Sequence, residues 1–163
     1  MRESHTSREF HTTSDEDTIE LGRRLAPLLP RRALVLLVGN LGSGKTTLAK
    51  GIVSGLGAAR PEEVASPTFT LIHEYGSAAA GGSLDHVHVY HVDLYRLDHA
   101  AEVATLGLDE ILDRDAIVLV EWGERFPELL PEPDIEIRLS AAGANPDTRR
   151  ITVIGELSSP LPT

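Results

Sequence analysis

Residues 33–44 read ALVLLVGNLGSG and run directly into KTTLAKGIVSGLG (45–57). A six-residue aliphatic run without polar alternation suits a strand covered on both faces, the environment of a central parallel strand. The glycines that follow allow a tight turn into a helix, which a further glycine closes. Gly39-Asn40-Leu41-Gly42-Ser43-Gly44-Lys45-Thr46 satisfies G-x-x-x-x-G-K-[ST] at each fixed position. In such a loop successive N–H groups converge on phosphate oxygens and the helix adds its positive end. Lys45 then reaches the β- and γ-phosphates, and Thr46 offers a hydroxyl to Mg2+. These eight residues and Thr47 form the candidate phosphate-contacting set. At ordinary residue usage roughly one random chain of this length in two hundred would carry the pattern. Its place between a buried strand and a helix makes an idle glycine turn the weaker reading.

The rest of the chain supports the same class. A short strand is expected at 9–13. A helix follows, capped by Thr13 or Ser14, with Glu16 or Asp17 placed for a capping box and Pro30 as its stop. FTLIHEY (69–75), HVHVYHVDL (86–94) and AIVLVEW (116–122) read as further strands, and AAEVATLGLDEIL (100–112) as one or two short helices. DIEIRLS (134–140) and RRITVI (149–154) alternate in period two and predict an antiparallel hairpin at a sheet edge. AAAGGS (78–83) is a linker within the domain, and ELSSPLPT reads as a frayed tail. The expected fold is α/β: a three-layer P-loop NTPase-like domain over residues 1–157, with a mixed, mainly parallel sheet and a C-terminal antiparallel hairpin. Residues 158–163 are assigned to the tail.

Composition narrows the chemistry. The 163 residues contain no cysteine, which removes disulfides, zinc–thiolate sites, iron–sulfur clusters and cysteine nucleophiles. No aliphatic run approaches bilayer length, and MRESHTSREF lacks the apolar segment of a secretory signal, so a cytoplasmic protein without membrane contact is expected. The formal net charge of −10 opposes non-specific nucleic-acid binding, so any bound anion must be held by a local arrangement.

A P-loop alone leaves an ATPase, a GTPase switch and a small-molecule kinase open. The guanine-reading Asn-Lys-x-Asp is absent, which favours adenine. Hydrolysis also needs carboxylates for the metal and the water. Two strands end in one: Asp93 after HVHVYHV, and Glu121 after AIVLV. Beyond the carboxyl ends of parallel strands, both would face the phosphates. Asp93 suits a direct or an indirect contact with Mg2+, and Glu121 suits metal binding or water activation. The histidines nearby first suggest a zinc site. Period-two alternation, however, puts His86 and His88 on one face and His91 on the other with Asp93. Two histidines without a third ligand make a poor zinc site. His91 is left to support Asp93 or to pack beneath the site.

Four stretches together resemble the TsaE family: GNLGSGKTTLAKGI (39–52), SPTFTLIHEY (66–75), HVDLYRL (91–97) and VEW (120–122). LGLDEIL (106–112) also resembles the segment that family carries between its acids. The resemblance spans about residues 13–154. It implies a Mg2+-dependent ATPase, slow alone, which serves tRNA N6-threonylcarbamoyladenosine (t6A) formation. Its implied partners are TsaB and TsaD, with tRNA reached indirectly through that complex. By motif match Lys45, Asp93 and Glu121 are the catalytic set and Thr46, Asp93 and Glu121 the metal set. Thr68 sits in a switch-like loop that senses the γ-phosphate. Asp15 and the Arg149/Arg150 pair are candidates to flank the adenine. Trp122 is placed beside the nucleotide or a partner. Arg96 is open between phosphate, a partner and an ion pair with Glu102. A phosphate-transferring kinase and a nucleotide-gated binding module without turnover are the competing classes.

Overall fold

The computed structural model describes residues 6–76 and 87–158. The expected linker at 78–83, His86 and the tail from 159 onward lie outside the described residues. Seven strands form one mixed sheet in the order β1-β7-β6-β2-β5-β4-β3. The strands are β1 (Ser7–Thr12), β2 (Ala33–Val38), β3 (Ile72–Tyr75), β4 (His88–Asp93), β5 (Ala116–Glu121), β6 (Ile135–Ala141) and β7 (Arg149–Gly155). The helices are α1 (Asp15–Leu25), α2 (Lys45–Gly55), α3 (Ala100–Ala104) and α4 (Leu108–Leu112). Strands β6, β2, β5 and β4 run parallel at the centre. Antiparallel neighbours flank them, β7 and β1 on one side and β3 on the other.

The aliphatic run in β2 is split by the pleat. Val35 and Leu37 join the core beneath α1 and α2, with Ile117 and Leu119 of β5. Leu34 and Leu36 join a second core on the opposite face, with Val118, Val103 of α3 and Ile111 of α4. Three layers result, and the strand reads as continuously apolar because both faces are covered.

Several boundaries differ from the sequence expectation. The predicted hairpin forms, but β1 pairs antiparallel with β7 and takes the edge itself. Short alternating strands look alike at an edge or one place in from it, because the partner comes from the other end of the chain. The first helix ends at Leu25 and continues as a 3-10 turn over Ala26–Leu28, with Pro27 inside it. Its start is as expected: Ser14 caps it by accepting from Asp17 N–H, and Asp17 reaches back to Thr13 rather than to Ser14. The strand expected from 69 begins at Ile72, after a turn closed by Leu71 N–H donating to Pro67 C=O. The start of the expected tail is docked, since Ser158 N–H donates to Leu28 C=O at 2.7 Å. Among the described residues no helix is long and apolar enough to cross a membrane.

The placement of α2 depends on two glycines. A Cβ on Gly22 of α1 would lie 2.6 Å from Leu48 O and 2.8 Å from Ile52 N of α2. A Cβ on Gly51 would meet Ile19 O and lie 2.9 Å from Gly22 Cα. The two backbones therefore touch, and α2 is pressed against α1 with no side chain between them at this crossing. Ordinary helix propensity makes Gly51→Ala stabilising by about 1 kcal/mol. Here the close approach dominates, and overpacking typically costs about 1–3 kcal/mol. Gly51→Ala is expected to lower the urea denaturation midpoint, and an equal or higher midpoint would contradict the contact.

Candidate functional site

Strand β2 delivers the chain to residues 39–44, and α2 begins at Lys45. Gly42 has φ 77° and Gly44 φ 104°, left-handed values that side chains resist. Gly44 is also the N-cap of α2, so the loop's curl and the helix start share one residue. A Cβ on Gly39 would lie 2.6 Å from Leu139 O, which explains a glycine there without any ligand.

The loop forms one wall of a cavity of about 370 Å3. Of the residues expected from the sequence, Leu41, Gly42, Ser43, Gly44, Lys45, Thr46, Thr47, Thr68, Asp93, Glu121, Asp15 and Arg149 all line it. Gly39 and Asn40 do not, and lie at the base of the loop. Ser66, Tyr95 and Trp122 complete the lining. Ser43 Oγ is buried here without a hydrogen-bond partner, an acceptor or donor awaiting one.

Lys45 is almost fully buried. Its Nζ donates to Gly39 C=O at 2.5 Å and lies 3.6 Å from the centre of the Trp122 ring. Burial holds its pKa below the ordinary lysine value, against the opposing pull of Glu121, Glu124 and Asp93. Trp122 has φ 66°, unusual for a residue with a bulky side chain, and its ring meets Tyr95 at 5.1 Å. The lysine is thus held on a carbonyl and an aromatic face within reach of the loop.

The two acids stand side by side. Parallel pairing of β4 with β5 sets Asp93 opposite Glu121, and pairing of β5 with β2 sets Glu121 opposite Leu37. Both carboxylates are 3% exposed, so each needs partners. Asp93 Oδ2 accepts from Thr68 Oγ1 at 2.9 Å and Ser66 Oγ at 3.3 Å, and Oδ1 accepts from Tyr95 N–H at 2.9 Å. Asp93 N–H also donates to Leu71 C=O, so the 66–71 segment is tied to β4 at backbone and side chain. Glu121 Oε2 accepts from Thr46 Oγ1 at 3.3 Å and lies 2.5 Å from His91 Nε2. His91 therefore supports Glu121 and not Asp93. Alternation had placed it on the acids' face, but the neighbour it reaches lies on β5, which one strand's pattern does not specify.

Other expectations divide. Arg149 reaches the loop, with Nη2 donating to Gly42 C=O at 3.3 Å. Arg150 turns away and pairs with Glu9 at 2.9 Å. Arg96 does not pair with Glu102, whose carboxylate accepts from Asp98 and His99 N–H at the start of α3. The Arg96 guanidinium lies 5.0 Å from the Phe69 ring instead.

The donors suit Mg2+: two carboxylates and a hydroxyl are hard oxygen ligands. Among the described residues no group of three or more His, Asp or Glu side chains can hold a metal by itself. Mg2+ commonly takes one or two carboxylates and shares its remaining positions with substrate phosphates and water. Three carboxylates (Asp15, Asp93 and Glu121) and two cations (Lys45 and Arg149) line the cavity, so an added divalent ion improves the balance for a polyphosphate.

Residues 12–151 match the family model "Threonylcarbamoyl adenosine biosynthesis protein TsaE". The chain is similar to the tRNA threonylcarbamoyladenosine biosynthesis protein TsaE of Streptomyces coelicolor, at 43% identity over 83% of this chain and 88% of that one. The TsaE of Bacillus subtilis is 36% identical over 88% and 82% of the two chains. That of Haemophilus influenzae is 35% identical over 85% and 83%. Among solved structures, the crystal structure of Bacillus subtilis YdiB aligns with TM-score 0.71 and 30% identity, covering 95% of this chain and 89% of that one.

Trp122 is the chain's one tryptophan, so its emission reports on this cavity alone. A polyphosphate that draws Lys45 off the ring will change that emission. Titration with a nucleoside triphosphate and Mg2+ is expected to give a saturable signal. Lys45→Met is expected to raise the apparent Kd at least about tenfold, the worth of a hydrogen bond to a charged group. Emission unmoved by saturating nucleotide would contradict the contact's relation to the site.

Proposed function

The chain belongs to the TsaE family of threonylcarbamoyl adenosine biosynthesis proteins, and from that membership we propose that it binds and hydrolyses ATP in support of tRNA t6A formation, acting with TsaB and TsaD homologues. The observation that carries the reading is the meeting, in one cavity, of the phosphate loop, Thr46, Asp93, Glu121 and the Ser66–Thr68 segment. Any one of these has a structural explanation. Together they are the parts that nucleoside-triphosphate hydrolysis requires.

Loop N–H groups and the start of α2 take the phosphates. Lys45 leaves Gly39 C=O and the Trp122 face to reach them, and its recovered contact with anions offsets the desolvation of its ammonium. Thr46, Asp93 and Glu121 would hold Mg2+. When bound, that ion neutralises charge on the β- and γ-phosphate oxygens. Hydrolysis adds water to the γ-phosphorus and breaks its bond to the bridging oxygen, yielding ADP and inorganic phosphate.

The Ser66–Thr68 segment gives the site a readout. Both hydroxyls now sit on Asp93 Oδ2. A ligand that engages Asp93 competes with them, so occupancy of the cavity is passed to the segment that carries Phe69, 81% exposed. A partner that grips this segment can in turn alter hydrolysis, which fits a subunit slow alone and stimulated in a complex. The net charge of −10 favours reaching tRNA through that complex rather than directly.

The test is phosphate release from ATP, with and without the TsaB–TsaD pair and tRNA. Hydrolysis is expected to be slow alone and to rise with the partners. Glu121→Ala and Asp93→Asn are each expected to lower stimulated kcat by on the order of 100-fold, the scale of losing a positioned catalytic acid or base. Stimulated hydrolysis left intact by Glu121→Ala would overturn the assignment. A phosphorylated metabolite in place of free phosphate would favour a kinase. Tight nucleotide binding with no release in the full complex would favour a binding module.

A further inference from the structure

His91 is an unexpected residue for its place in the sheet. It is wholly buried on β4, on the face occupied by Val89 and by Ile117 and Leu119 of β5. Any of several aliphatic side chains would fill that layer. Instead the imidazole puts Nε2 2.5 Å from Glu121 Oε2 and leaves Nδ1 buried with no partner. A buried polar atom without a partner is costly, because it has given up its hydrogen bond to water. Packing alone gives no return for that cost.

The return lies in what Nε2 does to Glu121. The Thr46 hydroxyl contact is long at 3.3 Å, and the carboxylate is nearly excluded from water. Nε2 is thus the close partner that fixes its rotamer. Both contacts fall on Oε2, so the carboxylate is held by one oxygen in a defined orientation. Carboxylates that bind metals are commonly oriented this way, and loss of the orienting group typically costs about 10–100-fold in metal affinity or activity.

We propose that His91 is a positioning residue for the metal-dependent part of nucleotide binding: its Nε2 holds Glu121 Oε2, leaving the other oxygen for Mg2+, and through Glu121 it also orients the Thr46 hydroxyl. The inference rests on the Mg2+–nucleotide reading of the cavity. It separates two contributions that the loop's sequence merges. Phosphate capture by N–H groups and Lys45 does not involve His91, whereas the gain in affinity from Mg2+ does.

Calorimetric titration with the non-hydrolysable analogue AMP-PNP, in excess Mg2+ and in EDTA, tests this. Wild type is expected to bind more tightly with Mg2+. His91→Leu is expected to keep the EDTA affinity within about twofold and to lose at least about tenfold of the Mg2+-dependent gain. His91→Gln, whose amide nitrogen reaches the Nε2 position, is expected to retain the gain. His91→Asn, whose amide stops near Nδ1, is expected to lose it. A purely structural role would treat the two amides alike, and their contrast decides the matter even if the leucine variant fails to fold. An undiminished gain in folded His91→Leu, or equal losses in the glutamine and asparagine variants, would overturn the inference. A wild-type chain that binds no AMP-PNP would overturn the underlying reading instead, a separate outcome.

Discussion

Two parallel registers organise this molecule. Leu37 of β2 pairs with Glu121 of β5, and Glu121 pairs with Asp93 of β4. Since β2 ends one residue later and runs into the phosphate loop, the acids and the loop arrive at the same edge of the sheet. A shift of one residue in either register would turn a carboxylate to the opposite face, among Val120 and Val92. The acids at the strand ends select those registers, because a one-residue slip would bury a carboxylate among aliphatic side chains. Close contact of α1 with α2 through Gly22 and Gly51 then fixes the helix that completes the loop.

The electrostatics follow from that geometry. On the proposed function an acidic chain holds a polyanion, although the cavity itself has more carboxylates than cations. Backbone N–H groups supply positive potential without side-chain charge, and Lys45 is kept desolvated and close. On the proposed function, the remaining deficit would be met by a divalent ion held by the carboxylates. With such an ion the acids would be compatible with phosphate binding. Their buried hydrogen bonds, to Thr68, Ser66, Tyr95, His91 and Thr46, hold them in place.

Much of this was legible in the sequence. The phosphate loop, the buried strands and both acids each rest on a local pattern of one strand or one turn. The C-terminal hairpin was legible as a pair, but not its covering by β1, because that partner comes from the opposite end of the chain. Ser66 and Tyr95 line the cavity through long-range placement that spacing does not encode, and Trp122, expected beside the nucleotide or a partner, lines it with them. Trp122 had one usable signal, its position beside Glu121. His91 had another, its parity with Asp93, which identified its face and its burial beneath the site but not the carboxylate it reaches. Arg96 and Arg150 show the same limit: charge alone does not name a partner, and Arg96 meets the Phe69 ring while Arg150 pairs with Glu9.

On the proposed function, metal and nucleotide occupy one site and strengthen each other's binding there. Electron paramagnetic resonance of Mn2+, as a stand-in for Mg2+, tests it directly with AMP-PNP as the nucleotide. The expected result is little Mn2+ binding to the protein alone, and one tightly bound Mn2+ per chain with phosphorus hyperfine coupling once AMP-PNP is added. Tight Mn2+ binding without nucleotide, or AMP-PNP binding with no metal brought in, would contradict the account.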